Sequence, residues 1–289
     1  MRGMWIVSTP VAFRLGHFMI RHQIRGGHRL LALMQPHWSG RTTDYKLSPG
    51  LDFTVPIGRP DSCWDLQDVL EYEFKLVTTF CEALRPLSDV TLFDCGADIG
   101  LFSASVCVKS TNISRVVAFE PNQKVQDILV RNVSRLPHGK VIPAAVADFV
   151  GFGQLLAPDY DPKSDHARYL AKAESGLPVT TIDSLGVRGG NIAIKIDVEG
   201  GELAAFRGAS ETIRSAQTTV VAFESNRDVE ARTGVDSREC MKLLAELAPF
   251  HFTLAETGEP LDPQTRISSH DKITNIVGIA TAKHSPSPN

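Results

Sequence analysis

Three carboxylates and one ammonium group fall within the eight residues Lys195-Ile-Asp197-Val-Glu199-Gly-Gly-Glu202. Ile194 and Ile196 alternate with Lys195 and Asp197, which reads as a strand end meeting a helix. Ligands bind at the carboxyl ends of strands in open α/β sheets. Acids also favour the positive end of a helix, and that accounts for Glu202 and in part for Glu199. It does not account for Lys195 and Asp197.

A second constellation precedes it. Asp94-Cys-Gly96-Ala-Asp98-Ile-Gly100 has the D-x-G-x-x-x-G form of a nucleotide-binding turn. Gly96 lets a ligand approach the main chain, and Gly100 allows close packing of helix and strand. Glu120 follows Asp94 by 26 residues, at the end of the next apolar run. A carboxylate there can accept hydrogen bonds from both hydroxyls of a ribose. Asp148, after a third run, can accept the exocyclic amine of adenine. Together these acids imply a nucleoside cofactor, without separating S-adenosylmethionine from NAD.

Positioning these residues requires alternating strands and helices. Strands are predicted at Val90–Asp94, Arg115–Glu120, Lys140–Val146, Val179–Ile182, Asn191–Asp197 and Thr218–Glu224, as in a doubly wound α/β sheet. Helices are predicted over Ile99–Lys109, Gln123–Leu136 and Glu202–Ser215. The last has a stripe of Leu203, Phe206, Ala209 and Ile213. A helix over Arg238–Leu247 precedes two runs, Phe250–Ala255 and Asn275–Ala280, that should pair antiparallel. A dinucleotide-binding domain normally continues with parallel units instead. The polar segment Pro158–Pro178 reads equally as a mobile loop over the site or as a surface excursion, with His166 within reach of substrate. Asp65–Leu84 reads as one helix covering the cofactor site.

The 289 residues are 43% apolar and 22% charged, with a net charge of −3, which excludes disorder throughout and gives no whole-chain argument for nucleic-acid binding. Charge is uneven, because residues 1–50 carry seven Lys/Arg against the single acid Asp44. This basic stretch mixes arginines with Phe13, Leu15, Phe18, Ile20, Ile24 and Leu30. It reads as an interfacial helix at an anionic membrane or as a helix docked on the catalytic domain or a partner, with a basic outer face. Docking is favoured because Gly26-Gly27 interrupts the helix. The five cysteines show no C-x-x-C spacing, which fits a reducing compartment and no zinc site. No run is long enough to span a bilayer, and the expected location is cytoplasmic, with peripheral contact at the inner membrane face as the arm's membrane reading. Asn112 and Asn132 head glycosylation triplets that are taken as chance matches.

Five blocks in order resemble the FkbM family of S-adenosylmethionine-dependent methyltransferases. They are Asp94–Gly100, Ala118-Phe-Glu-Pro-Asn122, Val179-Thr-Thr-Ile-Asp-Ser-Leu185, Lys195–Gly200 and Val221-Ala-Phe-Glu224. The resemblance implies a Class I methyltransferase fold: a Rossmann-like, mostly parallel sheet with a C-terminal antiparallel strand, preceded here by a helical N-terminal extension. It divides the chain into a basic extension and cover (1–86), a methyltransferase domain (87–282) and a frayed tail (283–289). It implies S-adenosylmethionine held by Asp94, Gly96, Asp98, Gly100, Glu120, Pro121, Asn122 and Asp148, and O-methylation of a sugar, glycan or polyketide-type hydroxyl. The chain departs from the family pattern at Asp98, where Asn is common, near Leu101-Phe102, where an aromatic pair is common, and at Gly201, where Ala is common. Asp98 would add a negative charge beside the cofactor's amino-acid end.

For methyl transfer to an alcohol, Asp197 is the first candidate to orient or deprotonate the hydroxyl, with Glu199 and Glu224 as alternatives and Lys195 as an electrostatic partner. The same acids can hold a divalent cation that lowers the hydroxyl pKa, although transfer without metal is favoured. The expected partner is a small-molecule or glycan acceptor. Two other readings are a nicotinamide-dependent oxidoreductase and a scaffold that keeps the fold without turnover.

Overall fold

The computed structural model describes residues 5–6, 9–57, 59, 64–157, 168–264 and 273–282. His166, Cys63 and the tail 283–289 lie outside the described residues. The N-terminal part runs β1 (Trp5–Ile6), α1 (Val11–Arg21), α2 (Gly27–Trp38), β2 (Arg41–Ser48), β3 (Leu51–Pro56), α3 (Leu66–Glu71) and α4 (Phe74–Leu84). Then come β4 (Val90–Cys95), α5 (Leu101–Lys109), β5 (Ile113–Phe119), α6 (Gln126–Val133), β6 (Lys140–Ile142), β7 (Ala145–Val146), β8 (Gly151–Leu156), β9 (Tyr169–Ala173) and β10 (Leu177–Thr180). The chain continues through β11 (Asn191–Ile196), α7 (Glu202–Arg207), α8 (Ser210–Ser215), β12 (Thr218–Asn226), α9 (Arg227–Thr233), α10 (Ser237–Leu247), β13 (His251–Leu254), β14 (Pro260–Leu261) and β15 (Ile273–Thr281).

Eight strands form the main sheet in the order β14-β13-β15-β12-β11-β4-β5-β6. β6, β5, β4, β11 and β12 are parallel, and β15 enters antiparallel between β12 and β13. The antiparallel pairing expected for the last two long runs is therefore present. Alternate residues of the central strands point to opposite faces. Leu92, Val116, Ala118, Ala193 and Val220 meet Leu76, Phe80 and Leu84 of α4 together with α5 and α6. Phe93, Val117, Ile194, Ile196 and Val221 meet Phe206, Ile213, Met241 and Leu244 on the other side. Burial on both faces explains why these strands read as continuous apolar runs.

Several boundaries differ from the sequence expectation. The run Lys140–Val146 breaks at Pro143, which has no N–H for the ladder, and Ala145–Val146 crosses into a second sheet of order β7-β10-β8-β9. The predicted strand at Val179–Ile182 is β10 of that sheet and not a strand of the main one. Within Pro158–Pro178, residues 169–173 and 177–178 are strand, so the described part of the excursion is mostly β-structure; residues 158–167 lie outside the described residues. Helix 65–84 is two helices, because Tyr72 is extended and Glu73 takes φ +40°. Helix 202–215 is also two. The Asp183 carboxylate accepts the backbone N–H groups of Glu211 (3.0 Å) and Thr212 (2.7 Å) and starts α8 afresh. Residues 41–56 add a β-hairpin that sequence periodicity did not reveal.

Candidate active site

Gly96 sits at φ +80°, and a Cβ there would lie 1.9 Å from the backbone oxygen of Asp197. The turn after β4 thus rests directly on the end of β11, where the Asp197 N–H donates to the Cys95 carbonyl at 3.0 Å. This contact brings the glycine turn and the Lys195–Glu202 block together. Gly100, at φ +84°, instead makes room for α6, since a Cβ would press on Leu129 and Val133 at 3.2 and 3.3 Å.

Glu120 fastens the turn. One carboxylate oxygen accepts the Asp98 N–H at 2.9 Å and the other the Asn122 N–H at 2.8 Å. Asn132 adds a second clasp, buried between α6 and the hairpin. Its amide donates to the carbonyls of Ile99 (2.8 Å) and Thr54 (2.9 Å) and accepts the Thr54 N–H. A residue that heads a glycosylation triplet is therefore a buried strut of the turn.

A cavity of about 290 Å³ opens over these strand ends. Gly96, Asp98, Glu120, Pro121, Asn122 and Asp148 line one part of it, and Lys195, Asp197 and Glu199 line another. Three of the candidate residues do not reach it. Asp94 is fully buried beneath the turn, where one oxygen accepts the Ser103 hydroxyl at 2.6 Å and the other has no hydrogen-bond partner. Gly100 is a packing position, and Glu224 faces a smaller neighbouring cleft that shares Glu199 and Glu202. Residues missed in the sequence complete the wall: Arg59, Trp64, Tyr72, Arg168, Leu170 and Lys172. Arg59 bonds both oxygens of Asp98, at 2.6 and 2.9 Å, so the charge expected from Asp98 is neutralised within the protein. The Trp64 indole N–H is buried without an acceptor among the described residues and belongs to the cavity wall.

At the acidic end, the buried Lys195 ammonium lies 2.8 Å from Asp197 and 5.5 Å from the Phe102 ring centre. Register places Lys195 beside Asp94 on the neighbouring strand. Burial disfavours its charge, but Asp197, Tyr72, Glu73 and Asp94 outweigh that and raise its pKa well above the ordinary value. Glu199, at φ +57°, is pushed up to about 8 by burial and then by Asp197, Glu224 and Glu202. Glu224 is pushed up to about 7, again by burial first and Asp197 second. The Glu202 carboxylate accepts the N–H groups of Gly200 (3.0 Å) and Val198 (3.3 Å), so it shapes the turn that presents Glu199. Arg232 donates to the Glu199 carbonyl at 2.6 Å and stacks on Tyr169. Among the described residues, His17, Asp65 and Asp68 are the group whose ligand atoms come within 4.8 Å of one another, away from this cavity. Arg21 bonds both of those aspartates.

Residues 94–248 match the methyltransferase FkbM domain, more than half of the chain. The chain belongs to the FkbM family of methyltransferases. It is 31% identical over 192 residues to the hexuronic acid methyltransferase AglP of Haloferax volcanii, covering 64% of this chain and 73% of that one. Among solved structures, the N-methyltransferase NodS of Bradyrhizobium japonicum aligns over 74% of this chain and 98% of its own, at 13% identity and a TM-score of 0.40. M. jannaschii TYW2, solved with AdoMet, aligns over 83% of this chain and 84% of its own, at 10% identity and a TM-score of 0.40. The FkbM match, with β15 inserted antiparallel, sets aside the nicotinamide oxidoreductase reading.

The cavity fits S-adenosylmethionine, the methyl donor of this enzyme class. Glu120 keeps acceptor capacity beyond its two backbone donors, and Trp64 offers a donor that no group among the described residues uses. Burial pushes the Glu120 carboxyl up to about 7, against the opposite pull of the Asn122 and Asp98 N–H groups. A ribose at Glu120 would donate its hydroxyls to the ionised carboxylate, so a proton on Glu120 would compete with the nucleoside. Affinity for S-adenosylhomocysteine is expected to level off above about pH 8 and to fall by up to about tenfold per unit below about pH 7. Calorimetric titration across this range tests it, and Glu120→Gln should flatten the slope. A slope that survives in the variant would assign the titration to another group.

Proposed function

We propose that the protein transfers the methyl group of S-adenosylmethionine to a hydroxyl of a glycan, with a hexuronic acid residue as the acceptor class. The observation that carries this reading is the single cavity in which the Glu120 end, suited to a nucleoside, and the Lys195–Asp197–Glu199 end share one space. Glu120 and Asp148 would hold ribose and adenine, with Gly96, Pro121 and Asn122 forming the bed beneath them. S-adenosylmethionine, when bound, supplies the electrophilic methyl group. Asp197 orients the acceptor hydroxyl and takes its proton as the oxygen–carbon bond forms and the carbon–sulfur bond breaks. Lys195 holds the Asp197 carboxylate in place from 2.8 Å, and Glu199 stands ready beside it. No step calls for a divalent cation.

The acceptor class is supported by the relative's substrate and by charge. Arg168, Leu170 and Lys172 are alternate residues at and within β9, and all three line the cavity. Lys172 sits 4.8 Å from the Phe149 ring centre. Lys172 presents a cation at the cavity wall, which suits a sugar carboxylate.

The test is to incubate the protein with methyl-labelled S-adenosylmethionine and a panel of uronic and neutral oligosaccharides. Alkali-stable label on a uronic residue is expected, with Lys172→Ala raising the acceptor KM about tenfold and leaving S-adenosylhomocysteine affinity unchanged. Alkali-labile label would indicate a methyl ester and overturn hydroxyl transfer. Equal use of neutral sugars would overturn the uronic acceptor.

A further inference from the structure

Residues 9–40 contain four arginines, four histidines and no acid. They fold into the α1–α2 hairpin, whose inner side is closed by Phe13, Leu31 and Trp38 packed on Ile57. Gly16 and Gly27 let the two helices touch, since a Cβ on Gly16 would meet Leu31 at 2.4 Å and one on Gly27 would meet the Gly16 carbonyl at 2.9 Å. This core is made of residues of the N-terminal extension itself and not of the catalytic domain. It leaves the outer side unexplained.

That outer side is apolar where a solvated helix would be polar. Val11 (80% exposed), Leu15 (50%) and Phe18 (53%) recur at i, i+4 and i+7 on α1, and Leu33 of α2 is 70% exposed. A groove beside α1 is lined by Phe18 and by Leu66 and Leu70 of α3, both also exposed. Arg14, Arg25 and Arg29 of the same hairpin are exposed, Arg14 at the groove, and form no ion pair among the described residues. Arg21 differs, being engaged with Asp65 and Asp68.

We propose that the outer side of the α1–α2 hairpin docks on an anionic lipid bilayer, with Val11, Leu15 and Phe18 entering the interface and Arg14, Arg25 and Arg29 meeting the headgroups. The sign of the charge selects this occupant. A second copy would set one acid-free basic hairpin against another, whereas an anionic bilayer complements both the apolar ridge and the arginines. The proposal is independent of the reaction assigned to the cavity.

Cosedimentation of the full chain with vesicles tests it. Binding is expected to vesicles of phosphatidylcholine mixed with phosphatidylglycerol, to be weak on pure phosphatidylcholine, and to be lost in high salt. Leu15→Ser with Phe18→Ser, and separately Arg14→Glu with Arg25→Glu, should each lower the partition coefficient at least about tenfold. Their circular dichroism and S-adenosylhomocysteine affinity should match the parent, showing that the fold and cavity are intact. Absence of binding to anionic vesicles, equal binding to neutral ones, or indifference to both variant pairs would overturn the proposal. So would a dimer in sedimentation velocity that the Leu15 and Phe18 changes dissociate, which would give the face to a second copy.

Discussion

Asp197→Asn is expected to lower kcat by about 10²- to 10⁴-fold while S-adenosylhomocysteine affinity stays within about threefold of the parent. The substitution keeps the side chain's shape and removes its capacity to accept a proton. Asp197 is bonded to Lys195 at 2.8 Å and lines the cavity beside Glu199. Lys195 keeps Asp94 and Glu73 as compensating neighbours, so the fold should survive. Single-turnover rates with labelled S-adenosylmethionine, paired with calorimetry, separate the two effects. A kcat within tenfold of the parent would transfer the role to Glu199. In that case the rate should rise with pH through about 8, the value to which burial and the surrounding acids push that carboxyl.

The second large effect is expected at Gly96. Alanine there must take φ +80° and place its Cβ 1.9 Å from the Asp197 carbonyl. This is a backbone atom, which cannot swing aside as a side chain would. Gly96→Ala should therefore lose about 3 kcal/mol or more of stability, from the overlap and the left-handed backbone together. It should also abolish S-adenosylhomocysteine binding, because the displaced atoms join the glycine turn to β11. Gly258→Ala is the internal control: Gly258 has a similar φ of +75° with nothing within 4 Å of the added carbon. That variant bears the backbone strain alone and should lose about 1 kcal/mol. Equal unfolding midpoints for the two variants would contradict the close contact assigned to Gly96.

Why much of this was legible, and some was not, follows from which interactions are local. The parallel strands are buried on both faces, so β4, β5, β11 and β12 announce themselves as apolar runs, and the turns at their ends carry the acids. Glu120 and the Lys195–Glu199 block were found for that reason. Local spacing misled at Asp94, whose place beneath the turn depends on Ser103 and on the neighbouring strand's Lys195. At Asp98 it gave the position at the cavity but not the pairing of its charge, because its partner Arg59 is 39 residues away in a segment without periodicity. Trp64 and Tyr72 reach the cavity from the N-terminal cover, and Arg168 and Lys172 from beside and within β9, segments that carry no motif. Asp183 lies in one of the family blocks, yet its carboxylate caps α8. Presence in a motif did not distinguish a residue that builds the site from one that lines it.

The Glu120 cavity is expected to bind the nucleoside of S-adenosylmethionine. The most direct test is calorimetric titration of the purified chain with S-adenosylhomocysteine near pH 8, beside NADH and the Glu120→Gln variant. One site of about micromolar affinity for S-adenosylhomocysteine is expected, none for NADH, and a loss of about 10- to 100-fold in the variant, because hydrogen bonds to a charged acceptor are weakened. No binding by the folded protein, or binding that Glu120→Gln leaves unchanged, would contradict it.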